Sequence, residues 1–397
     1  MKMMLKQVGL LPLSAAVVGL SLAAAHADDS LVNTLPDNLK ALYSGDTANV
    51  KPSAYDDFKP IKQPWKWCFS GSYQGNPWRV TVAKELRRAV EGLNKAGVKV
   101  TFEMSNSNND ASQQINQIRA FIDKKCSIIT SIAGSATALN DAIKAAYDAG
   151  IPFVTAAGSV TSPYAINVDS NYVKWGYDMM KAIAKETGGK ANVLMVEGIA
   201  GNPIVAQERA GAEKALKEEP GLKVVRRVNG NWTANVTKTV VLQTLATYPG
   251  KIDAVWTTGS ESRVVAQAFK QAGRPAPLIT GSITGDALGY WKQNPKDYHF
   301  TGNGVLPHWT ADTLFRVGVR MLEGQHPKLN TLMIPLPAIT EADLGKWYKS
   351  CMTPASVSIF PVPPTPAISS EELAGYFKNP KPTPGWNYAD VPQACGK

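Results

Sequence analysis

A chain of 397 residues exceeds what one hydrophobic core usually serves, so two domains are expected. Hydrophobic residues make up 44% and charged residues 19%, a globular balance able to bury substantial cores. The net charge of +10 is scattered over pairs such as Arg87-Arg88, Lys124-Lys125 and Arg226-Arg227 with acids between them. That pattern reads as solvated surface rather than a nucleic-acid footprint.

The N-terminus is a separate unit. Lys2 and Lys6 precede an apolar run over residues 8–25, and Ala25-His26-Ala27 forms a small-x-small cleavage site before Asp28. Residues 1–27 therefore read as a secretory signal peptide. A retained anchor is the rival reading, disfavoured because the apolar core is short and broken by Pro12 and Gly19. No cysteine follows the run, so a lipoprotein anchor is not indicated. Removal of Lys2 and Lys6 lowers the charge by two to +8, and export removes most nucleic-acid roles. In an exported chain Cys68, Cys126, Cys351 and Cys395 suggest two disulfides, with three possible pairings. The favoured pairs are Cys68–Cys126, on strands that are often neighbours, and Cys351–Cys395; free buried cysteines are the alternative.

Residues 28–62 are polar, carry Pro36, Pro52 and Pro60, and read as an extended segment laid over the body. Residues 65–70 then form a buried strand and 71–77 a small-residue loop. Pro77 suits the first turn of a helix, where Val82, Leu86, Ala89, Val90 and Leu93 recur at three-and-four spacing. A loop of this kind opens at the carboxyl edge of an α/β sheet, which puts Asn76, Trp78 and Arg79 at the mouth of a crevice. Strands at 99–104, 127–132 and 151–156 alternate with helices at 111–123 and 136–149, and Gly97 and Gly150 stand where left-handed caps close helices. A second series repeats the pattern. Its strands are 165–168, 192–197, 223–228, 254–257, 278–280 and 298–302, and its helices 172–187, 204–218, 236–247, 263–272, 285–292 and 310–322. Two similar α/β halves place a cleft between facing carboxyl edges. The tail, with Pro361–Pro366, a short helix near 371–377, Trp386 and Tyr388, reads as an ordered strap on the body.

Catalytic motifs are missing. His299, His308 and His326 do not fall at metal spacing, Gly281–Gly285 has its serine one place early for a nucleophile elbow, and no phosphate loop or dinucleotide fingerprint is complete. No enzyme activity, cofactor or metal is expected.

With these elements placed, the sequence resembles the periplasmic sugar-binding proteins of ABC transporters, the ribose/galactose-type branch of the type I solute-binding fold. The resemblance runs from about residue 65 to residue 334. It is carried by Asn76-Pro77-Trp78, SNSNNDASQQINQI (105–118), the stretch 127–155, Asn167-Val168-Asp169-Ser170-Asn171, EGIAGNPIVAQERAGAEKAL (197–216) and DAVWTTGSESRVVAQAFKQAG (253–273).

The resemblance implies two lobes joined by three hinge strands crossing near Val168-Asp169, Asn303–Val305 and Ile334–Leu336, closing on a solute. The implied division is 63–168 with 306–336 as the N-terminal lobe, 169–305 as the C-terminal lobe and 337–397 as the strap. It also implies a monomer that delivers a small solute, sugar-like or polyol, to a membrane permease. By resemblance Asn76 is the amide that meets sugar hydroxyls and Trp78 the stacking ring. Arg209 matches an arginine at the mouth of the second lobe, and Arg79 stands where a second aromatic is common. The family's Asp-Arg pair is Ala157-Gly158 here, its Asn-Asp is Gly259-Ser260, and its next aspartate is Ser282. Ser131, Ser135, Ser159, Glu261 and Asn303 complete the candidate polar set; Trp175, Trp232, Trp256, Trp291 and Trp309 are candidate walls or core. Loss of the acidic clamp points to a larger, less hydroxylated or partly apolar solute. A sensor of the same fold is one rival reading, and an exported hydrolase using Ser260 or Ser282 is another.

Overall fold

The computed structural model describes residues 29–46, 50–304, 306–356 and 366–382. The predicted signal peptide, Trp386, Tyr388 and Cys395 lie outside the described residues. Two short helices, α1 (Asp29–Val32) and α2 (Asp37–Lys40), open the chain. The first lobe follows as β1 (Trp65–Gly71), α3 (Pro77–Gly92), β2 (Val100–Asn106), α4 (Ala111–Asp123), β3 (Ile128–Ile132), α5 (Asn140–Asp148), β4 (Phe153–Ala156) and β5 (Ile166–Asp169). The second runs α6 (Tyr172–Glu186), β6 (Ala191–Glu197), α7 (Pro203–Glu218), β7 (Leu222–Asn229), α8 (Ala234–Thr247), β8 (Ala254–Thr257), α9 (Ser262–Gln271), β9 (Leu278–Ile279), α10 (Gly285–Gln293) and β10 (His299–Asn303). The chain closes with α11 (Pro307–Leu322), β11 (Thr331–Met333), β12 (Ala338–Thr340), α12 (Leu344–Trp347) and α13 (Ser370–Ala374).

Each lobe is built on a six-stranded sheet. The first has the order β11-β5-β4-β3-β1-β2, wholly parallel. The second has the order β12-β10-β9-β8-β6-β7 and is parallel except where β12 runs against β10. Strands β3, β4, β5 and β8 are buried along their whole length, as strands of helix-covered parallel sheets are. Trp67 at 0% exposure stacks on Phe315 of α11 with ring centroids 5.9 Å apart. The second core gathers Phe269, Tyr298 and Phe300. The chain passes between sheets after β5, between β10 and α11, and between β11 and β12.

The N-terminal segment differs from expectation. Residues 28–62 carry helical turns as well as extended chain, and Leu35, Leu39, Tyr43 and Tyr55 are buried in the first core. Helices of four residues have no stability of their own, so tertiary burial rather than periodicity orders them. Tyr43 donates its hydroxyl to Thr331 O at 2.5 Å, and Tyr55 donates to Tyr164 O at 2.6 Å. The strap is shared between lobes: β12, Leu344 and Met352 join the second core, whereas Ile368, Leu373 and Tyr376 join the first. Arg316 of α11 donates to Ile368 O at 2.7 Å, and Tyr376 donates to Met333 O at 2.7 Å, so this end is held by bonds to the body.

Cys68 in β1 and Cys126 just before β3 form a disulfide with Cα atoms 6.0 Å apart, as expected for neighbouring strands. Cys351 is also disulfide-bonded. The Cys68–Cys126 bond closes a span of 58 residues, for which constraint of the unfolded chain is worth about 2–4 kcal/mol. Replacing both by alanine is expected to lower the unfolding free energy by that amount and the denaturation midpoint with it; an unchanged midpoint would show that the bond contributes nothing.

Candidate ligand-binding cleft

The carboxyl ends of both sheets face one another, and a cavity of about 520 Å³, open solvent included, lies between them. Asn76, Trp78 and Arg79 reach it from the β1–α3 turn and Ala157 from the end of β4. Tyr172 and Trp175 come from the start of α6, and Ile204 and Glu208 from α7. Trp232 follows β7, Thr258, Gly259 and Ser260 follow β8, and Ser282 follows β9. Gly75-Asn76-Pro77 opens α3, and the same tripeptide, Gly201-Asn202-Pro203, opens α7. Asn76 Oδ1 accepts from the Arg79 amide at 2.9 Å and Asn202 Oδ1 from the Ile204 amide at 3.0 Å, so each lobe presents a capped helix start to the cleft. Tyr73 of the first lobe meets Thr233 of the second, hydroxyl to hydroxyl, at 3.4 Å across this cleft.

Aromatic walls are held by close packing. Asn231 and Trp232 both take positive φ, 54° and 50°, a conformation that side-chain-bearing residues adopt only where their surroundings enforce it. The Trp232 ring lies against backbone at Gly198 and Gly259, where a Cβ would stand 2.2 Å and 2.6 Å from it. On the other side, α6 and α7 touch through glycines: a Cβ on Gly176 would stand 1.9 Å from Glu208 O, and one on Gly211 1.8 Å from Val173 O. This contact keeps Trp175 and Glu208 side by side.

Charge in the cleft is sparse. Arg79 is 3% exposed, its Nη1 donates to Ser72 Oγ at 2.8 Å, and burial lowers it to about 10. Glu208 Oε2 accepts from Thr258 Oγ1 at 2.7 Å. Burial, with Glu197 and Glu261 adding to it, pushes the Glu208 carboxyl well above the usual range. Beside the cavity, burial raises Glu261 to about 8 and Asp169 to about 7, although Ser159 Oγ donates to Asp169 at 2.7 Å. Among the described residues no group of three or more His, Cys, Asp or Glu is placed to hold a metal.

The periplasmic binding protein domain profile matches residues 68–324. The chain belongs to the periplasmic binding protein family. It is 23% identical over 334 residues to a xylitol-binding protein of Mycolicibacterium smegmatis, covering 83% of this chain and 84% of that one. It is 28% identical over 225 residues to a galactofuranose-binding protein of Escherichia coli, covering 54% and 69%. Among solved structures, an ABC transporter solute-binding protein from Thermobispora bispora superposes with a TM-score of 0.67 at 28% identity, covering 75% of this chain and 91% of that one. The family is one of binding proteins rather than enzymes, and the fold is the type I fold with two lobes.

Within this periplasmic binding protein, Asn76, Trp78, Arg79, Ala157, Gly259, Ser260 and Ser282 are brought together around one cavity. Others among the candidates fall elsewhere. Ser131 is buried in β3 and donates to Ser70 O at 2.9 Å; Ser135 accepts from the Ala138 amide at 3.1 Å in a turn. Gly158 packs beside Pro203, and Asn303 donates weakly to Leu336 O at 3.4 Å between two lobe crossings. Arg209 turns from the cleft to pair with Glu197 through two bonds, 2.9 and 2.5 Å. Helix residues are about 100° apart, so the neighbour of Arg209, Glu208, takes the cavity position instead. Of the tryptophans, Trp175 and Trp232 line the cavity, Trp256 is core at 1% exposure, and Trp291 and Trp309 pack in other apolar clusters. Tyr172, Ile204, Glu208 and Thr258 were missed. The second Gly-Asn-Pro was the available signal for Ile204, by analogy with Trp78.

Gly176→Ala should force α6 from α7. Overpacking of this kind costs about 1–3 kcal/mol, against about 1 kcal/mol gained in helix propensity. A lower urea midpoint is expected; an equal or higher midpoint would mean that the helices adjust without loss.

Proposed function

We propose that this protein is the exported solute-binding component of an ABC importer, capturing a small hydroxylated solute by lobe closure and delivering it to a membrane permease. The carrying observation is the cavity between the two sheets' carboxyl ends, walled by Trp78, Trp175 and Trp232 and floored by Thr258 and Ser260. Aromatic faces suit the C–H faces of a sugar or polyol, and hydroxyls, amides and a guanidinium suit its oxygens. The relatives named for xylitol and galactofuranose support that solute class. The mechanism is reversible capture, in which the ligand favours the closed form because that form alone contacts it from both lobes. No chemistry on the solute is invoked. On this reading the chain acts as a periplasmic monomer, freed of residues 1–27 and without a lipid anchor. The crossings near Val168-Asp169, after Asn303 and near Ile334–Leu336 are the hinge, with the lobes divided there.

A thermal-shift screen against sugars, polyols, cyclitols and small acids tests the reading, since a tight ligand raises the midpoint. Trp78→Ala is expected to weaken binding of a hit by more than tenfold, about 1.4 kcal/mol. An unchanged dissociation constant would remove Trp78 from the site, and turnover of the hit would replace capture with catalysis.

A further inference from the structure

Buried polar atoms find a partner in the protein or receive one from what binds there. The cleft is unbalanced in this respect. Arg79 lines it almost without solvent exposure, and its guanidinium has five N–H donors, of which one is bonded, to Ser72 Oγ. No carboxylate pairs with it among the described residues; the groups that act on its charge are the phenols of Tyr172 and Tyr73. At about 10 it remains a cation at neutral pH.

Glu208, the one carboxyl lining the cavity, does not neutralise that charge. Its Oε2 accepts from Thr258, its Oε1 has no partner, and burial pushes the carboxyl toward its neutral form. Trp175 Nε1 is likewise buried with no acceptor. The amide oxygen of Asn76 is committed to its helix cap. Among the described residues lining the cavity, none therefore offers Arg79 a negatively charged acceptor. A buried cation left unpaired costs several kcal/mol, a cost that a neutral polyol leaves in place and an anion removes.

We infer that the solute is a polyhydroxy acid, its carboxylate seated on the Arg79 guanidinium and its hydroxylated carbons between the tryptophan walls. This rests on the solute-capture reading above and narrows its ligand class. A carboxylate offers two oxygens to the planar fork, the pairing for which arginine is best shaped. Glu208 stands in the other lobe with its Oε1 unpartnered, so closure brings a second polar group to the same molecule.

Isothermal titration of the mature protein against matched pairs differing only at one terminal carbon provides the test: xylonate against xylitol, and galactonate against galactitol. In at least one pair the acid should bind about 100-fold tighter or more, the scale of a desolvated charge pair. Arg79→Gln should abolish that preference while the unliganded protein melts no lower, because an unpaired buried charge has been removed. Arg79→Lys, which keeps charge but loses the fork, should retain a reduced preference and covers the case in which the glutamine variant fails to fold. Alcohols equal to or tighter than their acids in every pair overturn the inference and leave solute capture standing. So does a neutral sugar as the tightest ligand of the wider screen. No binding by any compound of either series or of that screen counts against solute capture itself, and the inference falls with it.

Discussion

Both sheets turn their carboxyl edges to one cleft, and the functional geometry follows from that constraint. In a parallel sheet each strand hands over to a helix through a loop at the same edge. The turns after β1, β4, β6, β7, β8 and β9 therefore all deliver side chains to a single cavity. The two Gly-Asn-Pro turns make the arrangement pseudo-symmetric. Each asparagine is bonded to the first turn of its helix, fixing where the next residue emerges: Trp78 in one lobe, Ile204 in the other. Lobe movement then changes the separation of two rigid rims rather than the shape of either.

Burial is the second organising force, because it decides which polar groups are charged. Arg79 keeps its proton through burial, whereas Glu208 and Glu261 are pushed toward their neutral forms. The same carboxyls on a surface would be ionised and would make the cleft anionic. Closeness is achieved by omission of side chains: Gly176 and Gly211 let α6 and α7 meet backbone to backbone, and Gly198 and Gly259 leave room for the Trp232 ring. In the first lobe, Tyr43 and Tyr376 both bond carbonyls of β11, the strand just before the last lobe crossing. Chain outside the family-matched region thus bears directly on the hinge.

The alternation of strands and helices was legible because each amphipathic helix and apolar strand carries its own period. The β1–α3 turn was legible because a proline in the first helical turn marks a helix start. The N-terminal segment was not, since four-residue helices have no period and its order comes from Tyr43 and Tyr55 burying in distant surfaces. Cleft residues within helices failed for a geometric reason. One position separates Arg209, which pairs with Glu197 on the flank, from Glu208, which faces the cavity. Tryptophans were ambiguous for a chemical one: the same side chain serves as core in Trp256 and as wall in Trp175 and Trp232. Ser131 looked available and is instead a hydroxyl satisfied by a neighbouring strand.

The most direct measurement is a crystal structure of the protein with its tightest ligand. The account predicts density between the lobes, against the Trp78 ring and within hydrogen-bonding distance of Arg79 and Glu208, with both rims touching it. Density outside this cavity, or ligand held by one lobe with Arg79 still unpaired, would contradict it.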